Sequence, residues 1–385
     1  MKIVIAPDSF KESLSAAEVC AAIEQGLRRV MRRGLQCRSV PLADGGEGTA
    51  EALVAATGGR MHRVRVQDPL QRPVRAAFGM LGDGRTAVVE MATASGLPLL
   101  APGERNPLRT STYGTGELIR AALDRGARRI IVGLGGSATN DGGAGMAMAL
   151  GARFLDARGR PLRAVRSGGN LDRVAAVDLS GLDPRLAAAE VVVACDVDNP
   201  LCGPNGASAI FGPQKGASPA RVRRLDENLR HLGGLLEAAS GRAVVDVAGA
   251  GAAGGLGAGL LAVADARLRP GIDIVMEAVD LPAALAGADL VITGEGRLDS
   301  QTVAGKTAAG VARAARRARV PVAEIGGGLS TDAVILFEHG ILAIEAAVCR
   351  PQTLEAAMQD AASGVSDAAE RLFRAIRLGQ KMPAN

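Results

Sequence analysis

The sequence predicts an α/β fold built on mainly parallel sheets. Short, continuous runs of β-branched and apolar residues recur along the chain, and most of them pass through a glycine-bearing polar loop into a helical pattern. Strands that are apolar throughout, alternating with helices, belong to parallel sheets covered on both faces. Glycine occurs 51 times in 385 residues, without a three-residue period, and gathers after the apolar runs. Such glycines serve tight strand-to-helix turns.

In chain order, residues 2–6 (KIVIA) form a first strand leading into APDSFKES. A helix then runs over residues 15–33, with Ser15 and Glu18 spaced as a capping box. Residues 36–42 lead into ADGGEGT and a short helix through Ala56. Residues 129–134 (RIIVGL) lead into GGSATNDGG and a helix over 144–150; residues 191–195 (VVVAC) lead into DVDNP. Residues 289–293 (DLVIT) reach GEGRLDSQT and a helix over 306–319, and residues 320–325 reach GGG. Residues 353–376 read as a closing amphipathic helix. Only residues 62–91 break the rhythm: strand-like stretches separated by DPLQRP and LGDGR, with no helix between, predict an antiparallel portion and a change of domain near 70–90.

Composition narrows the function. Apolar residues at 48% exclude a disordered chain. The net charge of +5 gives no reason to expect nucleic acid, and the arginine groups at 28, 29, 32, 33 and at 313, 316, 317, 319 read as solvated helix faces. One Tyr and no Trp leave no stacking platform for single strands. Five cysteines without a CxxC, and histidines at 62, 231 and 339, suggest reduced thiols in a cytoplasmic protein, not a zinc site. Residues 247–264 are uncharged, but thirteen of these eighteen are Gly or Ala. Transfer energy that small favours a close-packed or ligand-facing soluble segment over a membrane span.

The polar glycine loops fall at the carboxyl ends of strands, where open α/β sheets bind ligands. Residues 135–145 (GGSATNDGGAG) carry Gly135, Gly136, Ser137, Thr139, Asn140 and Asp141. They suit a phosphate, with Asp141 as a possible metal ligand, or a sharp structural turn. Residues 294–307 (GEGRLDSQTVAGKT) fail the Walker A spacing because Ser300 stands where glycine is required. Glu295 and Asp299 there could hold Mg²⁺ or cap a helix, with Lys306 at the helix start. Asp8, Ser9 and Lys11 follow the first strand, and Asp44 and Glu47 the second. Lys11 could meet a carboxylate or a phosphoryl oxygen. Asp196 follows an apolar strand, so partial desolvation would suit it to accept a hydroxyl proton, although a metal ligand or turn former fits as well. Of 45 basic residues only five are lysines, and Lys11, Lys215 and Lys306 all lie in glycine- or serine-bearing segments.

Together these segments resemble the bacterial type I glycerate kinase family. APDSFKESLSA, PLADGGEGT, EMATASGL, RNPLRTSTYGTGELI, GLGGSATNDGGAGM, ACDVDNPLCGPNGA, FGPQKGA, RPGIDIV and TGEGRLDSQTVAGK follow in order from residue 6 to about 306. The resemblance implies ATP- and Mg²⁺-dependent phosphorylation of D-glycerate, usually at the 2-hydroxyl. It also implies two α/β domains, one of them discontinuous, with the active site in the cleft between them. We expect a Rossmann- or flavodoxin-like domain from residues 1–78 and 285–385, and an inserted α/β domain over 79–284.

On that reading, Gly135, Gly136, Ser137, Thr139, Asn140, Lys215 and Lys306 contact nucleotide phosphates. Glu295 and Asp299, with Asp141, hold Mg²⁺. Asp8, Ser9, Asp44 and Glu47 bind glycerate, Lys11 acts beside them, and Asp196 takes the proton. No nucleic acid or membrane partner is expected. The rival readings are a glycerate 3-kinase, a non-catalytic binding protein and a nicotinamide-dependent oxidoreductase. The oxidoreductase would rely on residues 249–254 (GAGAAG), where Asp265 comes too early for the ribose-binding acid.

Overall fold

The computed structural model describes residues 1–43, 45–46, 48–162, 167–300, 302 and 307–381. The chain divides into two compact units, Met1–Asp44 with Ile272–Asn385, and Gly45–Gly271.

The first unit holds a five-stranded sheet in the order Ala343–Ala346, Val322–Leu329, Leu290–Leu298, Lys2–Ile5, Gln36–Ser39. Every pairing is parallel. Counted along this unit alone, the order is 2-1-3-4-5, the flavodoxin-like arrangement, and its switch point lies between Lys2–Ile5 and Leu290–Leu298. Two strands run further than their residue types suggest. Leu290–Leu298 continues through Gly294, Glu295, Gly296 and Arg297 because its ladder with Val322–Leu329 persists to Leu298↔Leu329. A helix over Ala16–Val30 covers one face, opened by the expected capping box, with Glu18 N donating to Ser15 Oγ and Ser15 N to Glu18 Oε2 (2.8 Å). It buries Val19, Ile23 and Leu27 in one cluster with Val365, Ala368, Leu372 and Phe373 of the last helix. Each such aliphatic side chain contributes about 1.5–3 kcal/mol when fully buried. The closing helix is two helices, Leu354–Gln359 and Ala361–Gly379, divided at Asp360.

The second unit holds a six-stranded sheet in the order Arg267–Arg269, Glu190–Ala194, Arg129–Gly133, Thr86–Glu90, Pro73–Met80, Arg60–Gln67. The first four of these strands pair in parallel. The last two form the antiparallel portion anticipated from residues 62–91. Because that hairpin pairs with Thr86–Glu90, it belongs to this sheet. The observed boundary after residue 44 therefore precedes the 78/79 division drawn from sequence. At the other end, helix Gly271–Ala278 packs with the first unit, for example Ile272 beneath Gly310, so that boundary lies before 284/285. No helix among the described residues is long and apolar enough to cross a membrane.

Candidate active site

In the first unit a pocket of about 800 Å³ opens at the carboxyl ends of the parallel strands. Asp8, Ser9 and Lys11 enter it from the loop after Lys2–Ile5, and Glu295 and Asp299 from the far end of Leu290–Leu298. Gly327 and Gly328 bring bare backbone to its wall. Five of the expected residues are thus brought together. The loop that presents them is tightly held. Asp8 Oδ1 accepts from Ser9 N at 2.6 Å, and Asp8 Oδ2 accepts from Thr307 Oγ1 at 2.6 Å. Leu14 N closes a turn onto Phe10 O at 2.9 Å, and inside that turn Glu12 has φ of 64°. A left-handed conformation is costly for a side chain of that size and commonly marks a functional loop. The expected Asp44, Glu47 and Lys306 lie outside the described residues.

One acid of this unit was not anticipated. Glu324 is fully buried on strand Val322–Leu329, and neither of its carboxyl oxygens has a hydrogen-bond partner among the described residues. Thr293 pairs with Glu324 and Glu295 with Gly326, so by strand alternation Glu324 and Glu295 share one face of the sheet. Burial, and then the Glu295 charge, push the Glu324 carboxyl up to about 8. A neutral Glu324 near pH 7 spares Glu295 a like charge beside it. The available signal was one acid inside an otherwise apolar strand.

In the second unit the loop after Arg129–Gly133 is mostly interior. Gly135 and Gly136 are exposed, whereas Ser137 is nearly buried and Thr139, Asn140 and Asp141 are completely buried. Asp141, expected at a metal, spends its carboxylate inside the protein. Oδ2 accepts from Thr112 N (2.8 Å), Thr112 Oγ1 (2.9 Å) and Gly145 N (3.2 Å), and Oδ1 from Gly143 N (3.2 Å). Burial outweighs those bonds and pushes the Asp141 carboxyl above the ordinary aspartate range. Lys215, expected at phosphate, is 1% exposed and donates to Ser137 Oγ and Thr139 O, both at 2.7 Å. Its turn Pro213–Lys215 is short, but the side chain points beneath the loop.

Burial lowers the Lys215 ammonium to about 7, against partial compensation by Asp141. The ordinary value for lysine is 10.5. Between these values the unfolded chain binds one proton more, so this group makes stability rise with pH from about 7 to 10.5. Urea titrations across that range should show the wild type gaining on Lys215→Met. A constant difference would mean that the amine keeps an ordinary acid constant in the fold.

Gly254 and Gly255, with φ of 68° and 85°, lie against the back of the same loop. A Cβ on Gly254 would meet Asn140 Cα at 2.6 Å and collide with Thr139 O. Gly142 N donates to Gly254 O at 3.0 Å. The GAGAAG glycines therefore serve backbone packing. They follow helix Pro219–Ser240, not a strand, which removes the basis for the dinucleotide reading. Asp196 is exposed, contrary to the partial desolvation expected of it, because the chain leaves the sheet after Ala194; its Oδ1 accepts from Gly271 N at 2.9 Å. Glu90, a second acid that sequence reading passed over, caps helix Thr49–Thr57 through Ala50 N at 2.7 Å.

A sequence profile described as the glycerate kinase family matches residues 3–377. The chain belongs to the glycerate kinase family. A glycerate kinase of Bacillus subtilis (strain 168) is 54% identical over 99% of both chains. The glycerate 2-kinase of Escherichia coli (strain K12) is 50% identical, also over 99% of both. A crystal structure described as a glycerate kinase 2 of Salmonella typhimurium LT2 is 51% identical, with a TM-score of 0.92 over 99% of this chain and 100% of the other. Members of the glycerate kinase family are phosphotransferases, and this chain is one. Among the described residues of this family member, no group of three or more His, Cys, Asp or Glu is placed to hold a metal ion. Mg²⁺ does not require one: it keeps several waters and takes one or two carboxylates together with substrate phosphates. Glu295 and Asp299 in one nucleotide-sized pocket fit that requirement.

Proposed function

We propose that the protein transfers the γ-phosphoryl group of ATP to the 2-hydroxyl of D-glycerate, giving 2-phosphoglycerate and ADP. Membership of the glycerate kinase family and the resemblance to a glycerate 2-kinase support the reaction. The observation that carries the chemistry is the gathering of Asp8, Ser9, Lys11, Glu295 and Asp299 in one pocket at a sheet switch point. Phosphoryl transfer asks chiefly for positioning and for neutralisation of charge.

In this reading Lys11 pairs with phosphoryl oxygens, while Glu295 and Asp299 hold Mg²⁺. That ion, when bound, would offset the charge of the phosphate chain. Ser9, fixed by Asp8, orients the acceptor. The glycerate hydroxyl oxygen bonds to the γ-phosphorus, the bond from that phosphorus to the bridging oxygen breaks, and the hydroxyl proton passes to solvent. Lys215 and Asp141 act inside the fold, shaping the loop from within. The five unpaired cysteines suit a cytoplasmic setting.

Phosphorus NMR of the product from ATP, Mg²⁺ and D-glycerate tests the reaction. A 2-phosphoglycerate resonance is expected, and 3-phosphoglycerate would move the acceptor to the other hydroxyl.

A further inference from the structure

We propose that the nucleoside end of the phosphoryl donor, its purine base and ribose, seats in the outer half of the first unit's pocket, against Leu329, Val348, Leu354 and Met358. The inference rests on the donor being a nucleoside triphosphate.

The pocket's residues are sorted by strand. The charged group comes from the two central strands, with Asp8 and Lys11 after Lys2–Ile5, Glu295 on Leu290–Leu298 and Asp299 just past its end. The aliphatic group comes from the outer side of the sheet: Leu329 ends the next strand, Val348 follows the edge strand Ala343–Ala346, and Leu354 and Met358 lie on helix Leu354–Gln359. From Lys2–Ile5 to that edge strand are three inter-strand steps, or about 14 Å at the usual spacing. A ligand that uses both ends must therefore be elongated, charged at one end and apolar at the other.

A three-carbon hydroxy acid is neither. It is polar throughout, gains nothing from an aliphatic wall, and would leave most of an 800 Å³ pocket empty. A nucleoside triphosphate has the required length and the required division. Its phosphates would lie toward Lys11 and the glycine-bearing wall, and its flat base toward the leucines. The leucine side chains stand open to such a ligand: Leu329 is 41% exposed and Leu354 is 71% exposed. Large aliphatic side chains left in water beside a cavity favour a ligand that covers them. Among the described residues Phe10 is the one aromatic lining the pocket and is itself 3% exposed, so the base is held by aliphatic contact.

The test is Leu354→Glu, at a position exposed enough to leave folding untouched. Its KM for ATP and its dissociation constant for ADP, measured by calorimetry, should each rise at least about tenfold, because a charge replaces apolar contact with the base. The KM for glycerate should stay within about twofold. Leu342→Glu, at a leucine 69% exposed and outside the pocket, should match the wild type in all three. Photolabelling with 8-azido-ATP should mark residues 347–361. Unchanged ATP and ADP constants in Leu354→Glu, a rise in glycerate KM alone, or a label elsewhere would overturn the assignment. If the wild type makes no phosphoglycerate, the proposed reaction fails, while the ADP titration still decides whether this pocket takes a nucleotide.

Discussion

Asp141→Ala should be the most damaging single substitution in the second unit, lowering stability by about 3–5 kcal/mol. The carboxylate is fully buried and accepts from three backbone N–H groups and one hydroxyl. Removing it strands Thr112 N, Gly143 N and Gly145 N without their acceptor, each a buried donor whose desolvation is no longer repaid. It also removes the carboxylate that opposes the buried Lys215 charge. Domains of ordinary stability hold only about 5–15 kcal/mol, so much of the variant should be unfolded in mild urea. Asp141→Asn keeps the volume but turns an NH₂ group toward donors, and should recover only part of the loss. Urea unfolding measures both. An alanine variant within about 1 kcal/mol of wild type that had lost its metal requirement would return Asp141 to the metal.

Lys11→Met should have the opposite profile. The side chain is exposed, so the melting temperature should hardly change. Turnover should fall by ~10²–10³-fold, the scale for losing one group aimed at charge developing in a transition state. Lys11→Arg should recover little, since a planar fork does not replace a compact ammonium. Melting curves and steady-state rates on the same preparations separate the two effects. Near-normal turnover in Lys11→Met would take Lys11 out of the chemistry.

The α/β alternation was readable because most buried strands are dominated by apolar runs, and because Ser15 and Glu18 announce a helix start in their spacing alone. The extension of Leu290–Leu298 was not readable. Glycine and charge at residues 294–297 argue against a strand, and only pairing with Val322–Leu329 makes one. The boundary at residue 44 was hidden for a related reason. The hairpin's partner strand is a tertiary fact, and local turn signals at DPLQRP mimic a change of domain.

Among the candidate residues, loop position was legible and side-chain direction was not. Lys11 and Lys215 both lie near turns beside glycine or serine, yet one faces a pocket and the other lies beneath a loop. Glu324 illustrates the same limit. Its type was visible, but its depth and its neighbour Glu295 follow from strand register.

Anomalous diffraction from crystals grown with Mn²⁺ and ADP would test the metal and nucleotide site directly. A peak bound by the carboxylates of Glu295 and Asp299, with the nucleotide phosphates between it and Lys11, is the predicted result. A peak at Asp141 or Asp196, with the first unit's pocket empty of nucleotide, would contradict the account.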